Sequence, residues 1–231
     1  MSVKKLRPHQ ILGLGNDFGR PYKSFIPPAY SGGLMALENV ILIKFLNMIN
    51  PSRIFEFGTY RGETARLIIE NLDFQSNNDR KLYTLDLADL SNVTFDSNDK
   101  YLAMHSINSD KVYTSSEKNS SVIQIYCDSL EFNPDSINDK FELILVDANH
   151  SYKYVKNDTE KSLQMIKKHN SVILWHDYNN PEFPDLTNYL NKLAHNGLDL
   201  YYIEETMLCV LMSEDIKPVN KIESKHDIFF K

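Results

Sequence analysis

Arg53-Ile54-Phe55-Glu56-Phe57-Gly58-Thr59-Tyr60-Arg61-Gly62-Glu63-Thr64 is the stretch that decides the fold. An apolar run of strand type leads into two glycines four apart, and a helical pattern starts directly behind them. From Leu34 onward the chain holds only three glycines, and two of them are Gly58 and Gly62. Glycine is needed where backbone turns with positive φ or comes close to another group, so the pair marks a strand-to-helix turn with a ligand passing over it. That is the layout of a nucleotide-type cofactor loop in a parallel α/β sheet.

Ahead of this turn, Leu34, Leu37, Ile41, Phe45 and Met48 recur at helical spacing and predict a bracing helix over 34–50, stopped by Pro51. Behind it the pattern alternates: helix 62–72, strand 81–86, strand 122–127, strand 141–147, helix 152–168, strand 171–176 and helix 185–196 follow the strand at 53–57. Strands separated by helices imply a parallel sheet with right-handed crossovers. The runs 201–203 and 207–212 flank Glu204-Glu205-Thr206 and read as an antiparallel hairpin closing the sheet. One domain over 1–231 is expected, with a Rossmann-like core at 51–212 and a C-terminal tail at 213–231.

Residues 1–33 carry Pro8, Pro21, Pro27, Pro28 and five of the eight glycines, and read as an irregular arm. Its aromatics Phe18, Tyr22, Phe25 and Tyr30 suit either a brace on the domain or a cover over substrate. Gly13-Leu14-Gly15-Asn16-Asp17-Phe18-Gly19 imitates a dinucleotide fingerprint, but its third glycine comes one place late, so it is read as a decoy. The polar segment 88–120 is either a mobile lid or a partly helical crossover.

A formal charge of −6 and a pI near 5.6, with no basic stripe, exclude nucleic acid as partner. No apolar stretch is long enough for a membrane helix. Cys127 and Cys209 fall in apolar strand-like runs and are expected as buried thiols in a reducing, cytoplasmic setting.

The five parallel strands end in acids: Glu56, Asp86, Asp128, Asp147 and Asp177. A single Asp after a strand is commonly a turn former or helix cap. In an open parallel sheet, however, the ligand crevice lies beyond the carboxyl ends of the strands, so the five are expected to converge there. Asp86 stands where a carboxylate accepts ribose hydroxyls, and Asp128-Ser129 where an adenine edge is read. Glu56 at the head of Glu-x-Gly-x-x-x-Gly would repel a diphosphate but suit a cationic ligand such as S-adenosylmethionine.

The ordered set formed by residues 54–64, Tyr83-Thr84-Leu85-Asp86, Asp128-Ser129, Asp147-Ala148-Asn149-His150-Ser151-Tyr152 and Trp175-His176-Asp177-Tyr178 resembles the class I S-adenosylmethionine-dependent methyltransferases. The closest likeness is to the bacterial small-molecule branch known as methyltransferase domain 24, over about residues 34–212. The resemblance implies a seven-stranded sheet with an antiparallel last strand, and a cofactor site of Glu56, Gly58, Thr59, Gly62, Asp86, Asp128 and Ser129. One departure is the turn before the fifth strand, usually Gly-Gly in the family and His169-Asn170 here; Asn tolerates the left-handed conformation that turn needs.

For the reaction, methyl transfer to oxygen or nitrogen requires a deprotonated nucleophile, hence a base or a metal. Asp147, Asp177 and Asn179 would offer oxygen ligands to Mg²⁺ with His150 as base, an arrangement that resembles the catechol-type metal-dependent O-methyltransferases. His176 reads equally as a structural histidine or a proton carrier. His150 has a structural alternative as a cap of helix 152–168. The expected activity is S-adenosylmethionine-dependent methylation of a hydroxyl, less readily an amine, on a small-molecule acceptor, with a homodimer left open. The alternatives are an NAD-dependent oxidoreductase and a non-catalytic nucleoside-binding protein.

Overall fold

The computed structural model describes residues 2–15, 19–26, 32–73, 79–91, 93, 95 and 97–219, without the side chains of 97 and 98. Residues 16–18 of the decoy motif, Tyr30 of the arm and the tail from residue 220 lie outside the described residues.

Eight strands form one sheet: β1 (Lys4–Leu6), β2 (Arg53–Phe57), β3 (Lys81–Asp86), β4 (Val122–Tyr126), β5 (Leu143–Val146), β6 (Val172–Trp175), β7 (Leu200–Ile203) and β8 (Cys209–Met212). Their order is β1-β7-β8-β6-β5-β2-β3-β4. Only β8 runs backwards, pairing antiparallel with both β6 and β7. The hairpin and the parallel core thus match the sequence reading, but the described residues form eight strands where seven were expected. The extra one is β1, which pairs parallel with β7 and buries Leu6. Three residues of sequence Lys-Lys-Leu are too few to show a period of two, so the arm read as irregular throughout.

The central strands are apolar on both sides because helices cover both faces. Successive residues point to opposite faces. Ile54, Leu143, Leu145, Val172 and Leu174 therefore join one core, with α2 (Ala36–Ile49) and α3 (Glu63–Asn71). Phe55, Phe57, Ile144, Val146, Ile173 and Trp175 join the other, against α5 (Tyr152–Met165) and α6 (Pro184–His195). Ile41, Leu42, Phe45 and Leu46 of α2 are fully buried, since the small α1 (Pro8–Leu12) covers part of its outer side. The segment 88–120 is a partly helical crossover built on α4 (Ser97–Ile107).

Two details position the site. β2 lies between β5 and β3, so the chain reverses its direction of progress across the sheet there and leaves a crevice beyond the strand ends. Asn170 takes φ 48° and donates from Nδ2 to the Ile49 carbonyl at 3.0 Å, so the turn keeps its left-handed shape without the usual glycines. Among the described residues no helix is long and apolar enough to cross a membrane.

Candidate active site

The turn after β2 uses three left-handed residues, Gly58 (φ 89°), Tyr60 (φ 49°) and Gly62 (φ 79°). Gly58 donates to the Leu85 carbonyl at 2.9 Å, and Asp147 donates to the Phe57 carbonyl at 2.9 Å, which locks the ends of β2, β3 and β5 together. A Cβ at Gly58 would lie 1.9 Å from the Asp147 carbonyl oxygen; one at Gly62 would lie 2.7 Å from the Tyr113 ring. The close approaches these glycines permit are therefore of the chain to itself.

Above this turn lies a cavity bounded by Gly58, Asp86, Ser129 and Asp147 and roofed by Leu102, Ala103 and Ser106 of α4. Asp86 stands in it as the sequence suggested, with its carboxylate accepting from Tyr60 N (3.0 Å), Leu87 N (2.8 Å) and the Ser106 hydroxyl. Lys111 sits 3.8 Å from the same carboxylate and donates to the Tyr60 and Ser106 carbonyls.

Two of the expected acids turn away. Asp128 accepts from Tyr154 Oη at 3.0 Å and Leu130 N at 2.9 Å, leaving Ser129 to line the cavity. Glu56 is only 1% exposed beneath the loop and accepts from Thr84 Oγ1, which also bonds Thr59 Oγ1 at 2.7 Å. Glu56 pairs in register with Thr84, two residues short of Asp86, and so sits one pleat deeper. Burial, opposed by the Thr84 hydrogen bond, pushes its carboxyl up to about 8. Glu56 is then mostly neutral at pH 7 and does not supply the charge the sequence reading assigned to it.

This shift has a consequence for stability. Between the ordinary value of 4.5 and about 8 the native state holds a proton that the unfolded chain has released, so stability falls as pH rises through that window. Glu56→Gln keeps the shape and removes the titration. Urea midpoints for this variant are expected to fall less between pH 5 and 8.5 than those of the parent, with a gain on the order of 3 kcal/mol at the upper pH. An unchanged pH slope would contradict the neutral state of Glu56.

Asp147, His150, His176 and Asp177 meet at the other end of the cavity. His150 Nε2 lies 3.3 Å from Asp177 Oδ2 and 3.9 Å from Asp147 Oδ1, while His176 Nδ1 lies 3.2 and 3.3 Å from those atoms. The far nitrogen of each ring is held by a buried acid. His150 Nδ1 contacts Asp99 Oδ1 at 2.8 Å, and His176 Nε2 contacts Glu38 Oε2 at 3.0 Å. Asp99 also accepts from His150 N, and Glu38 from Met35 N and Met207 N. His150 is thus positioned by Asp99 and stacked on Phe183 at 3.9 Å; the cap of α5 is Ser151.

Burial opposes the charge on both rings, but the surrounding carboxylates prevail. Asp177 and Asp99 bring His150 up to about 10, and Asp147, Asp177 and Glu38 raise His176 well above its ordinary value. Asp177 is held well below the carboxylate range: burial works against this, and His150 and His176 overcome it. Asn179, grouped with the metal ligands in the sequence reading, is turned off by φ 65°, and its N–H donates to Thr187 Oγ1 at 2.9 Å. It lines neither this cavity nor the next; His176 holds the place beside the two aspartates. Asp99 and Glu38 were not foreseen, since each lies in a helical first turn where an acid ordinarily faces solvent.

A second cavity adjoins the first and shares Gly32, Gly33, Leu102, His176 and Asp177 with it. Phe25, Leu34, Met35, Phe183 and Met207 give it apolar walls, and Glu63 and Glu182 add acid; no Lys or Arg lines it among the described residues.

A sheet switching at β2 and β5, a cavity over the glycine turn, and a polar cluster joining it to a second cavity define a Rossmann-like methyltransferase. Residues 55–178 match the family model described as a methyltransferase domain, and the chain belongs to that family. No curated protein sequence matches it. Among solved structures it is similar to CalS11, a calicheamicin methyltransferase, at TM-score 0.56 and 16% identity over 78% of each chain. It is also similar to the O-methyltransferase TomG from Streptomyces achromogenes in complex with SAM, at TM-score 0.51 and 14% identity over 78% of this chain and 82% of that one. An O-methyltransferase from Bacillus cereus in complex with SAH gives TM-score 0.51 and 14% identity over 80% and 84%. At these identities the likeness is one of fold.

Proposed function

We propose that the protein transfers a methyl group from S-adenosylmethionine to a hydroxyl of a small, mainly apolar acceptor, with a divalent cation assisting. The observation that carries this reading is that two cavities meet at one polar cluster, the first over the glycine turn and the second sharing His176 and Asp177 with it. In-line transfer needs donor methyl and acceptor oxygen about 3 to 3.5 Å apart, and adjoining cavities supply that approach. In the first cavity, Asp86 and Asp147 give the negative surroundings that a sulfonium and its ammonium group favour.

The cluster fits a divalent cation, because it joins two aspartates to a buried histidine nitrogen that lacks an aligned hydrogen bond. When bound, the ion would lower the pKa of the acceptor hydroxyl. The other steps belong to the chain. Asp147, the most open of the four side chains, is placed to take the hydroxyl proton, and Asp177 lies between the two cavities. Asp99 and Glu38 orient the two imidazoles. α4 roofs part of the donor cavity, and water displaced from beneath it when the cofactor binds strengthens the charge interactions there.

The second cavity narrows the acceptor. CalS11 is described as a TDP-rhamnose 3'-O-methyltransferase, but acidic walls with no Lys or Arg among the described residues disfavour a diphosphate-bearing acceptor here. The test is transfer of labelled methyl from S-adenosylmethionine to a panel divided between apolar phenols and alcohols and phosphorylated or nucleotide-linked sugars. Products are expected in the first group. Methylation confined to the second, or cofactor binding without transfer to any member, would contradict the reading.

A further inference from the structure

We infer that Ser106 holds the acceptor position on Asp86 that a ribose hydroxyl takes, so that an S-adenosyl ligand enters the first cavity by displacing Ser106 and lifting the end of α4 that carries it. This deepens the methyl-transfer reading and rests on it for the identity of the ligand, but not for the contact itself.

The Asp86 carboxylate is the first argument. An ionised carboxylate offers about four lone-pair positions. Three are filled by the chain: Tyr60 N donates to Oδ2 at 3.0 Å, Leu87 N donates to Oδ1 at 2.8 Å, and the Ser106 hydroxyl donates to Oδ2. Two vicinal ribose hydroxyls need two positions and find one. The backbone donors belong to the glycine turn and to the end of β3, and neither can leave without distorting the sheet edge, so Ser106 is the group that yields.

Lys111 fixes the direction of the Ser106 proton. Its buried Nζ donates to Ser106 Oγ at 2.9 Å, to the Ser106 carbonyl at 2.9 Å and to the Tyr60 carbonyl. The Tyr60 carbonyl, 3.0 Å from Ser106 Oγ, therefore already has a donor, and the hydroxyl proton is left for Asp86.

The second argument is how α4 is held. Asp99, Leu102, Ala103 and Ser106 fall at i, i+3, i+4 and i+7 and form one stripe, about 10 Å long, that lines the first cavity. Among the described side chains of α4, the buried ones are the two polar ends of that stripe, Asp99 at 5% and Ser106 at 3% exposure. Leu102 and Ala103 between them are half-buried, and Tyr101 and Met104 are exposed. A helix draws most of its stability from a packed apolar face, and α4 shows none, so the contacts at its two ends decide where it sits. Asp99 is the firm end, accepting from His150 N and meeting His150 Nδ1, both at 2.8 Å. Ser106 is the end that can be released. A ligand beneath the stripe would then cover Leu102 and Ala103, which favours its entry.

The test compares the full chain with its Ser106→Ala variant. Titration with S-adenosylhomocysteine should show the variant binding about 5- to 10-fold more tightly, because a competing hydrogen bond is gone, and the same substitution made in an Asp86→Ala background should bring no gain. Without added ligand, hydrogen exchange at the α4 amides should run at least about fivefold faster in Ser106→Ala than in the parent. Unchanged or weaker binding, a gain that persists without the Asp86 carboxylate, or unchanged exchange at α4 would overturn the inference. Where Ser106→Ala does not fold, a crystal structure of the parent with S-adenosylhomocysteine decides. Ribose hydroxyls on Asp86 with Ser106 Oγ moved out of hydrogen-bond reach are expected there, and Ser106 still bonded to Asp86 would overturn the inference. Faster exchange at α4 in Ser106→Ala, with no S-adenosylhomocysteine bound by either protein, would keep Ser106 as the latch of α4 and sink the methyl-transfer reading instead.

Discussion

Gly58→Ala is expected to lower stability by about 3 kcal/mol or more and to abolish methyl transfer. Gly58 sits at φ 89°, where an L side chain pays about 1 to 2 kcal/mol in strain alone. The larger cost is steric. The added methyl would meet the Asp147 carbonyl oxygen at 1.9 Å and the Ala148 Cα at 3.0 Å, both backbone atoms that cannot rotate away. Relief requires the ends of β2 and β5 to part, and that breaks the bond from Asp147 N to the Phe57 carbonyl. The same movement carries Asp147 away from His176. Gly62→Ala is the internal comparison: its φ of 79° gives similar strain, but its nearest clash, at 2.7 Å, is with the buried Tyr113 ring, a side chain held by Gln124 rather than the backbone of a neighbouring strand end. Urea unfolding should thus place Gly58→Ala well below Gly62→Ala, and a loss under about 1 kcal/mol at Gly58 would refute the backbone crossing.

Asp177→Asn should reduce turnover about 10³-fold while leaving S-adenosylmethionine affinity within a few-fold of the parent. Asp177 is the residue within 3.3 Å of both cluster imidazoles that also borders both cavities. Asn is the informative replacement because Asp177 stands at φ 60°, a conformation that Asn adopts with little strain. The change therefore removes a charge and a ligand oxygen without disturbing the turn. Asp177 also titrates below its ordinary range, so its contribution to stability is present above about pH 4 and is lost as pH falls further. Removing it should cost stability at neutral pH, and the turnover comparison needs a temperature at which the variant is fully folded. Single-turnover rates with labelled donor decide the matter. A rate within tenfold of the parent would take Asp177 out of the reaction.

Much of this was legible in the sequence, for identifiable reasons. β2, β5 and β6 are short apolar runs buried on both faces and ended by Gly58, Asp147 and His176-Asp177, so period, length and terminator agreed, and β2 was placed at 53–57 as observed. The hairpin of β7 and β8 was legible from two apolar runs around Glu204-Glu205-Thr206. β1 was not, because Lys4–Leu6 is stabilised by pairing with β7, nearly two hundred residues later, and three residues carry no pattern. Within the site, the rule that acids follow parallel strands located Asp86, Asp147 and Asp177 in the cleft. It misjudged Glu56, whose position inside β2 turns it under the loop, and Asp128, which turns to Tyr154 and Leu130 N; Asn179, grouped with the metal ligands, is turned off by its own left-handed φ of 65°. Neither pleat depth nor the sign of φ at a non-glycine residue can be read from composition. Glu38 and Asp99 act on histidines 138 and 51 residues away, and local periodicity has no access to such pairs.

The account depends on the cavity over Gly58 taking an S-adenosyl ligand, and equilibrium titration of the full chain with S-adenosylmethionine, S-adenosylhomocysteine and NAD measures this directly. Both sulfur compounds should bind saturably at one site per chain, with NAD giving no signal. Asp86→Ala should weaken them about 10- to 100-fold, the worth of charge-assisted hydrogen bonds to ribose hydroxyls. Saturable NAD binding, with no affinity for either sulfur compound, would contradict the account.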